Sequence, residues 1–314
     1  FLTPLDMSAF RIYAKRGIVV SMKGTLIATW GTSHVRAKRS KDGGKTWGPE
    51  IVIAKPGFQC GGLTVNETNG DILAFVEDRH PPAPLRVFRS TDDGKSWKQI
   101  EVKIKPDSKG NMPSMHMNEH GITLRHGKHK GRLIRPSRFY AGKNERARWP
   151  NHYTNAIFSD DGGRTWQRGQ EMTINASDEC EAMELADGTV YMNMRSRQDI
   201  KRRATSRSAD GGQTWSSVVY DATLPEPSCQ GSGVRLDDAR VLLSHLSNTD
   251  SRTHLTVRLS RDECRTWPVS RVLHEASACY SDLAIADGHI LCFYEASHDV
   301  DLTEEWERCI VGSG

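Results

Sequence analysis

Ser40-Lys-Asp-Gly-Gly-Lys-Thr-Trp47 decides the fold, because the same octet returns four more times along the chain. The copies are Ser90-Thr-Asp-Asp-Gly-Lys-Ser-Trp97, Ser159-Asp-Asp-Gly-Gly-Arg-Thr-Trp166, Ser208-Ala-Asp-Gly-Gly-Gln-Thr-Trp215 and Ser260-Arg-Asp-Glu-Cys-Arg-Thr-Trp267. The last is degenerate, with Cys264 where glycine is expected. Repetition at a period of about 40 to 50 residues points to a propeller or a solenoid. Each octet reads as a turn: the Asp side chain bonds nearby amides, Gly takes the positive φ of a tight hairpin, and the Trp starts a strand and packs beneath the turn.

A second signal runs between the octets. Gly24, Gly70, Gly131, Gly188, Asp238 and Gly288 each lead into a short apolar strand, such as Ile72-Leu-Ala-Phe-Val76 or Val241-Leu-Leu243. Six such starts, five of them followed by an octet, predict an all-β, six-bladed propeller of four-stranded antiparallel blades, the last blade lacking its octet. The repeats run almost end to end, so residues 1–314 read as a single domain.

Composition agrees with many small sheets. Hydrophobic residues make up 37% of the 314, and no run of 18 apolar residues offers a membrane-spanning helix. The net charge of +4 is small and scattered. The densest basic stretch, Arg195 to Arg203, has no aromatic stacking motif beside it, so it suits an anionic small molecule better than nucleic acid. Seven cysteines show no CxxC pair and no zinc spacing, and they read as buried small hydrophobes.

Function has to come from residues around the funnel, since a propeller hosts many functions. Here the chain resembles the sialidases, exo-acting hydrolases that remove terminal sialic acid, over nearly its whole length. Phe10-Arg-Ile-Tyr-Ala14 is similar to the family segment whose arginine grips the substrate carboxylate, with Tyr13 in place of Pro. Asp178-Glu-Cys180, Glu184-Leu-Ala-Asp-Gly188 and Asn193-Met-Arg-Ser196 resemble the block that carries a catalytic Glu and the second arginine. Arg252 lies where the third arginine falls, just before the fifth octet. Cys279-Tyr-Ser-Asp-Leu283 resembles the nucleophile segment, and Phe293-Tyr-Glu295 the segment whose Glu braces the first arginine.

The resemblance therefore implies Tyr280 as nucleophile, Glu179 as its base, Arg11, Arg195 and Arg252 as the carboxylate grip, and Glu295 as the brace of Arg11. These residue types suit the chemistry. Arginine stays charged and offers paired donors to a planar carboxylate. A sugar bearing a carboxylate at its anomeric carbon repels a carboxylate nucleophile, whereas a phenol deprotonated by Glu179 avoids that repulsion, and Tyr nucleophiles are the known sialidase exception to the two-carboxylate pattern. The arginines are expected to lower the phenol pKa, and the product is expected to keep its anomeric configuration.

One departure stands out. Between Leu26 and the first octet there is no acidic residue, although the family carries its general acid there. His34 occupies the matching blade, Glu77 and Asp78 end a strand of the next, and Glu119 lies in the third; all are candidates for the acid. A replaced acid alters the pocket, so a deaminated sialic acid or a Kdo-like sugar joins sialic acid as an expected substrate. The competing reading is a lectin-like propeller that binds an acidic sugar without cleaving it. The enzyme reading calls for no cofactor and no metal, an acidic sugar as its partner, and a secreted or periplasmic location, with no leader visible in this numbering.

Overall fold

The computed structural model describes residues 17–296, apart from 32, 59–60, 117–118, 144 and 173–176, together with strand 309–313. Its first sheet is β1 (Gly17–Val20), β2 (Leu26–Gly31), β3 (Val35–Ser40) and β4 (Ile51–Ala54), in that order. The second is β5 (Thr64–Val65), β6 (Ile72–Glu77), β7 (Leu85–Ser90) and β8 (Lys98–Ile100). The third collects β9 (Lys103–Ile104), β10 (Pro113–Ser114), β11 (Ile122–Thr123), β12 (Leu133–Phe139), β13 (Tyr153–Ser159) and β14 (Thr165–Arg168). The fourth is β15 (Ser177–Glu184), β16 (Val190–Ser196), β17 (Arg202–Ser208) and β18 (Val219–Pro225). The fifth holds β19 (Ser232–Asp237), β20 (Arg240–Leu246), β21 (Thr253–Ser260), β22 (Val269–Ala286), β23 (His289–Ala296) and β24 (Cys309–Ser313).

The fold is an all-β propeller, but six uniform four-stranded blades are not what forms. The described residues make five sheets of 4, 4, 6, 4 and 6 strands. The cause is β22. Its 18 residues contain no glycine or proline to stop them, so the strand pairs with β21 as far as Ser277 and continues against β23 from Ala278. The fifth and sixth repeats are thereby welded into one sheet, folded so that Leu242, Leu255 and Val257 pack against Leu283 and Tyr294. The third sheet is enlarged by β9, which lies parallel to β14, and by β10 and β11, which both pair with β12.

Each octet joins the third and fourth strands of its repeat, and its bonds explain its composition. Ser40 Oγ accepts from Gly44 N at 2.9 Å, Asp42 accepts from Thr46 N at 2.9 Å, and Trp47 Nε1 donates to Gly44 O at 3.1 Å. Both central positions are left-handed, with φ of +70° and +90° at Gly43 and Gly44. In the degenerate copy Glu263 and Cys264 adopt 60° and 59° without glycine, and Asp262 and Ser260 still make the octet bonds. The Trp indeed packs beneath the turn, although Trp47 lies ahead of β4 rather than opening it.

Apolar contact between neighbouring sheets forms the core. Ile72 and Phe88 of the second sheet join Ile27 and Val35 of the first, and Leu124 and Phe158 of the third join Met192 and Met194 of the fourth. Ile18 and Trp30 meet Leu291 and Phe293, which closes the ring between first and last sheets. Ile18 N donates to Asp282 Oδ2 at 2.6 Å across the same seam. The inner strands are β1, β5, β11, β15, β19 and the second half of β22, each touching the next. They come so close that a Cβ on Gly62 would lie 2.4 Å from His120 Cα.

Trp166 tests the role of the octet in this core. It is 1% exposed and meets Phe75 of the preceding sheet edge-on, with ring centroids 5.1 Å apart. Trp166→Ala is expected to cost roughly 3–5 kcal/mol in chemical denaturation, as for other large core truncations. A loss below about 1 kcal/mol, the usual cost of a surface change, would mean that the octet Trp is not a core anchor.

Candidate active site

Side chains alternate along a strand, so residues i and i+2 share a face. On β15 and β22 this rule stacks two polar layers on the ring axis, with Glu179 and Tyr280 in one and Glu181 and Asp282 in the next. In the first layer, Tyr280 Oη donates to Glu179 Oε1 at 3.3 Å. Arg195, near the end of β16, donates through Nη1 to both oxygens of Glu179 at 2.9 and 2.8 Å. Arg252, in the turn before β21, holds its guanidinium 5.8 Å from the Tyr280 ring centroid.

Ser228, between β18 and β19, fixes two arginines at once. Its Oγ accepts from Arg195 Nε at 3.2 Å and its carbonyl from Arg252 Nη2 at 3.3 Å. Its φ of 56° is a left-handed conformation that costs energy for a residue other than glycine, and such strain gathers at functional sites. Arg252 Nη1 also donates to Cys279 Sγ at 2.8 Å, and Cys229 Sγ donates to Cys279 O at 3.5 Å. Both thiols lie near enough to act on the Tyr280 phenol.

Electrostatics divides the roles within the layer. Burial alone would raise Glu179, but the guanidinium of Arg195, helped by Arg138 and Arg197, holds its carboxyl down at about 2. Burial and the Glu179 charge hold the Tyr280 phenol well above its ordinary value, with Arg195 pulling the other way. The expected lowering of the phenol pKa is therefore reversed, because the charge of Arg195 is already matched by Glu179. An ionised carboxylate beside a neutral phenol is the arrangement in which a base takes the proton as the phenol oxygen attacks.

The third sheet adds groups that the sequence reading passed over. Arg138 Nη1 lies 2.5 Å from Asp178 Oδ1, and Arg197 also pairs with Asp178. Arg138 stacks over Tyr140 at 4.5 Å and contacts His152 Nδ1 at 3.1 Å, while Arg197 stacks over Trp149 at 4.2 Å. Burial and Glu179 raise the Asp178 carboxyl against the pull of Arg138, Arg195 and Arg197. An arginine near the end of β12, the place Arg195 takes on β16, was the available signal for Arg138.

The other expected residues separate. Arg11 lies outside the described residues, so its contact with Glu295 is not described; Glu295 lies on β23, where its charge helps to raise the Cys279 thiol. His34 sits half-buried in the hairpin between β2 and β3, its Nδ1 3.0 Å from Ser33 Oγ. That hairpin is so tight that a Cβ on Gly31 would lie 2.1 Å from His34 O. Asp78 pairs with its neighbour Arg79 at 3.0 Å. Glu119 belongs to the second layer, under the pair rather than on the rim. Glu77 ends β6 as Arg195 nearly ends β16, is 1% exposed, and takes hydrogen bonds from Ser114 Oγ at 2.7 Å and Met115 N at 2.9 Å. Burial pushes it up to about 7, and its charge is felt at Tyr140, as are those of Asp178 and Glu179.

Comparison with known proteins gives a consistent result. Residues 62–292 match the BNR repeat-like domain. A sialidase of Micromonospora viridifaciens is 31% identical over 91% of this chain and 50% of its own length. A sialidase of Bacteroides fragilis is 26% identical over 83% of this chain and 54% of its own. The chain thus spans about half the length of these two relatives. Among solved structures, a Hadza microbial sialidase superposes with a TM-score of 0.76 and 25% identity, over 96% of this chain and 65% of its own. The intramolecular trans-sialidase of Ruminococcus gnavus also reaches 0.76, at 15% identity over 100% and 98%, a likeness of fold. No helix among the described residues is long and apolar enough to cross a membrane.

The raised Glu77 makes stability depend on pH. Its unfolded value is about 4.3 and its folded value about 7, so the stability given by its protonated form is full below the first. It falls as pH climbs towards the second. Glu77→Gln, which keeps the neutral form, is expected to flatten the decline of Tm across that window. An unchanged decline would mean that Glu77 is already ionised in the fold.

Proposed function

Because the chain belongs to the BNR-repeat/sialidase superfamily, we propose that it is a retaining exo-glycosidase that releases a terminal acidic sugar of the ulosonic class. The observation that carries this reading is the Tyr280–Glu179 contact, with Arg195 bound to the same carboxylate. Tyr280 Oη attacks the anomeric carbon while its proton passes to Glu179, and the bond to the leaving oxygen breaks as an acid protonates that oxygen. Water, giving a proton to the conjugate base of that acid, then attacks the anomeric carbon as its bond to Tyr280 Oη breaks. The new sugar hydroxyl keeps the starting configuration and the phenol recovers its proton.

Arg252 and Arg195, together with Arg11, are the proposed grip on the sugar carboxylate. Arg195 commits Nη1 to Glu179 and Nε to Ser228, which leaves Nη2 as the donor it can offer. Glu77 is the proposed acid: burial keeps a proton on it near neutrality, and it ends its strand on the face where Arg195 stands. The β2–β3 hairpin is tight and carries no carboxylate among its described residues, His34 being its one titratable side chain there.

Sugar release from aryl and natural glycosides of N-acetylneuraminic acid, deaminated neuraminic acid and Kdo tests the reading and names the sugar. Glu179→Gln is expected to lower kcat roughly 10²- to 10⁴-fold, the usual worth of a positioned base. Binding of one of these acids without turnover on any of them would favour a lectin-like propeller instead.

Leaving-group dependence tests the acid separately. Glu77→Gln is expected to lose roughly 10²-fold or more on natural glycosides but little on aryl glycosides with activated leaving groups. Equal losses on both would remove Glu77 from that role, and the same comparison on His34→Ala and Asp78→Asn would then locate the acid.

A further inference from the structure

One layer beneath Tyr280 and Glu179, the ring axis holds Glu119, His120, Glu181 and Asp282, contributed by the third, fourth and fifth sheets. One potential donor atom from each lies within 4.8 Å of all the others. His120 Nδ1 is 3.5 Å from Asp282 Oδ1 and 3.8 Å from Glu181 Oε2. We propose that these four side chains bind one divalent transition cation, which ties three inner strands together under the catalytic pair. The inference does not depend on the glycosidase reading.

Charge is the first argument. Three carboxylates this close cannot all stay ionised without compensating positive charge. The fully buried guanidinium of Arg135 acts on both Glu119 and His120. Three carboxylates against one guanidinium leave two negative charges, which a divalent cation cancels with the imidazole neutral and coordinating, and which a protonated His120, opposed by burial but favoured by Glu181 and Asp282, offsets only by half.

The second argument is an oxygen without a donor. Glu119 is 4% exposed; its Oε1 accepts from Gln230 Nε2, whereas its Oε2 receives no donor among the described residues beyond a proton it can share with Asp282. A buried polar atom in that condition is costly, and a ligand is one way to satisfy it. The other oxygen of each of two ligands is held from behind, as is usual: Ile18 N donates to Asp282 Oδ2 at 2.6 Å, and Ala182 N donates to Glu181 Oε1 at 2.9 Å.

Access and chemistry complete the case. A cavity of about 430 Å³ reaches His120 along the axis and runs past Thr123, Leu283 and Gly233 to Glu184 and Asp237. Three carboxylates with one imidazole and no thiolate suit Mn²⁺ or Zn²⁺, since a nitrogen donor is poorly matched to Ca²⁺ or Mg²⁺. Without the cation some of these charges must be met by protons shared within the cluster, and carboxylates and imidazole bind a metal only when deprotonated. Metal binding therefore releases protons.

Protein stripped with a chelator and desalted, then titrated with Mn²⁺, Zn²⁺ or Ca²⁺ by calorimetry in two buffers of different ionisation enthalpy, tests the proposal. The expected result is one Mn²⁺ or Zn²⁺ per chain with proton release, a Tm raised by roughly 5 °C at saturation, and no comparable effect of Ca²⁺. Glu181→Gln and Glu119→Gln should each weaken binding at least roughly 10-fold. Wild-type protein that takes up no stoichiometric metal overturns the proposal whether or not the variants fold. Binding unaltered in both variants overturns it too, as does metal-free Glu119→Gln that is more stable than wild type while wild type ignores metal, because shared protons then hold the cluster.

Discussion

The ion pair between Arg195 and Glu179 is the interaction on which the site depends. Glu179 is 2% exposed, and a carboxylate that deep would take up a proton unless a cation stood against it. Two hydrogen bonds from one guanidinium nitrogen keep it ionised, and in the proposed reaction an ionised Glu179 gives the Tyr280 proton somewhere to go. The same pairing occupies the charge that would otherwise have acidified the phenol. The phenol is therefore a neutral group at rest, and the proposed reaction starts from that form.

The rest of the molecule exists to hold that layer in place. Inner strands packed closely around one axis present alternate side chains inward, so chemistry is arranged in storeys. Tyr280 and Glu179 occupy one storey; Asp282 and Glu181 occupy the next, two residues along each strand. Asp282 also accepts the amide of Ile18, so the carboxylate beneath Tyr280 is part of the seam that closes the ring. Ser228 braces Arg195 and Arg252 from the turn between two strands. A shift of any inner strand would be felt at the phenol.

What the sequence disclosed follows from the range of the interactions involved. The octets were legible because Ser40, Asp42, Gly44 and Trp47 bond with one another within eight residues. Tyr280, Glu179, Arg195 and Arg252 were singled out through their likeness to sialidase segments, and the structure brings the four together. The number of sheets was not legible, because nothing local marks where β22 leaves β21 for β23, and an uninterrupted run of 18 residues erased a boundary that the repeats implied. The axial cluster was hidden for the opposite reason. Its donors are separated by about 60 residues at Glu119 to Glu181 and about 100 at Glu181 to Asp282, so no ligand spacing appears in the chain, and only ring closure assembles them.

Covalent trapping with 3-fluorinated ulosonic acids, followed by peptide mapping, tests the central claim most directly. The account predicts a single glycosylated peptide with the sugar on Tyr280, formed by wild type and absent from Tyr280→Phe. Label on another residue, or trapping by the Phe variant as fast as by wild type, would contradict it.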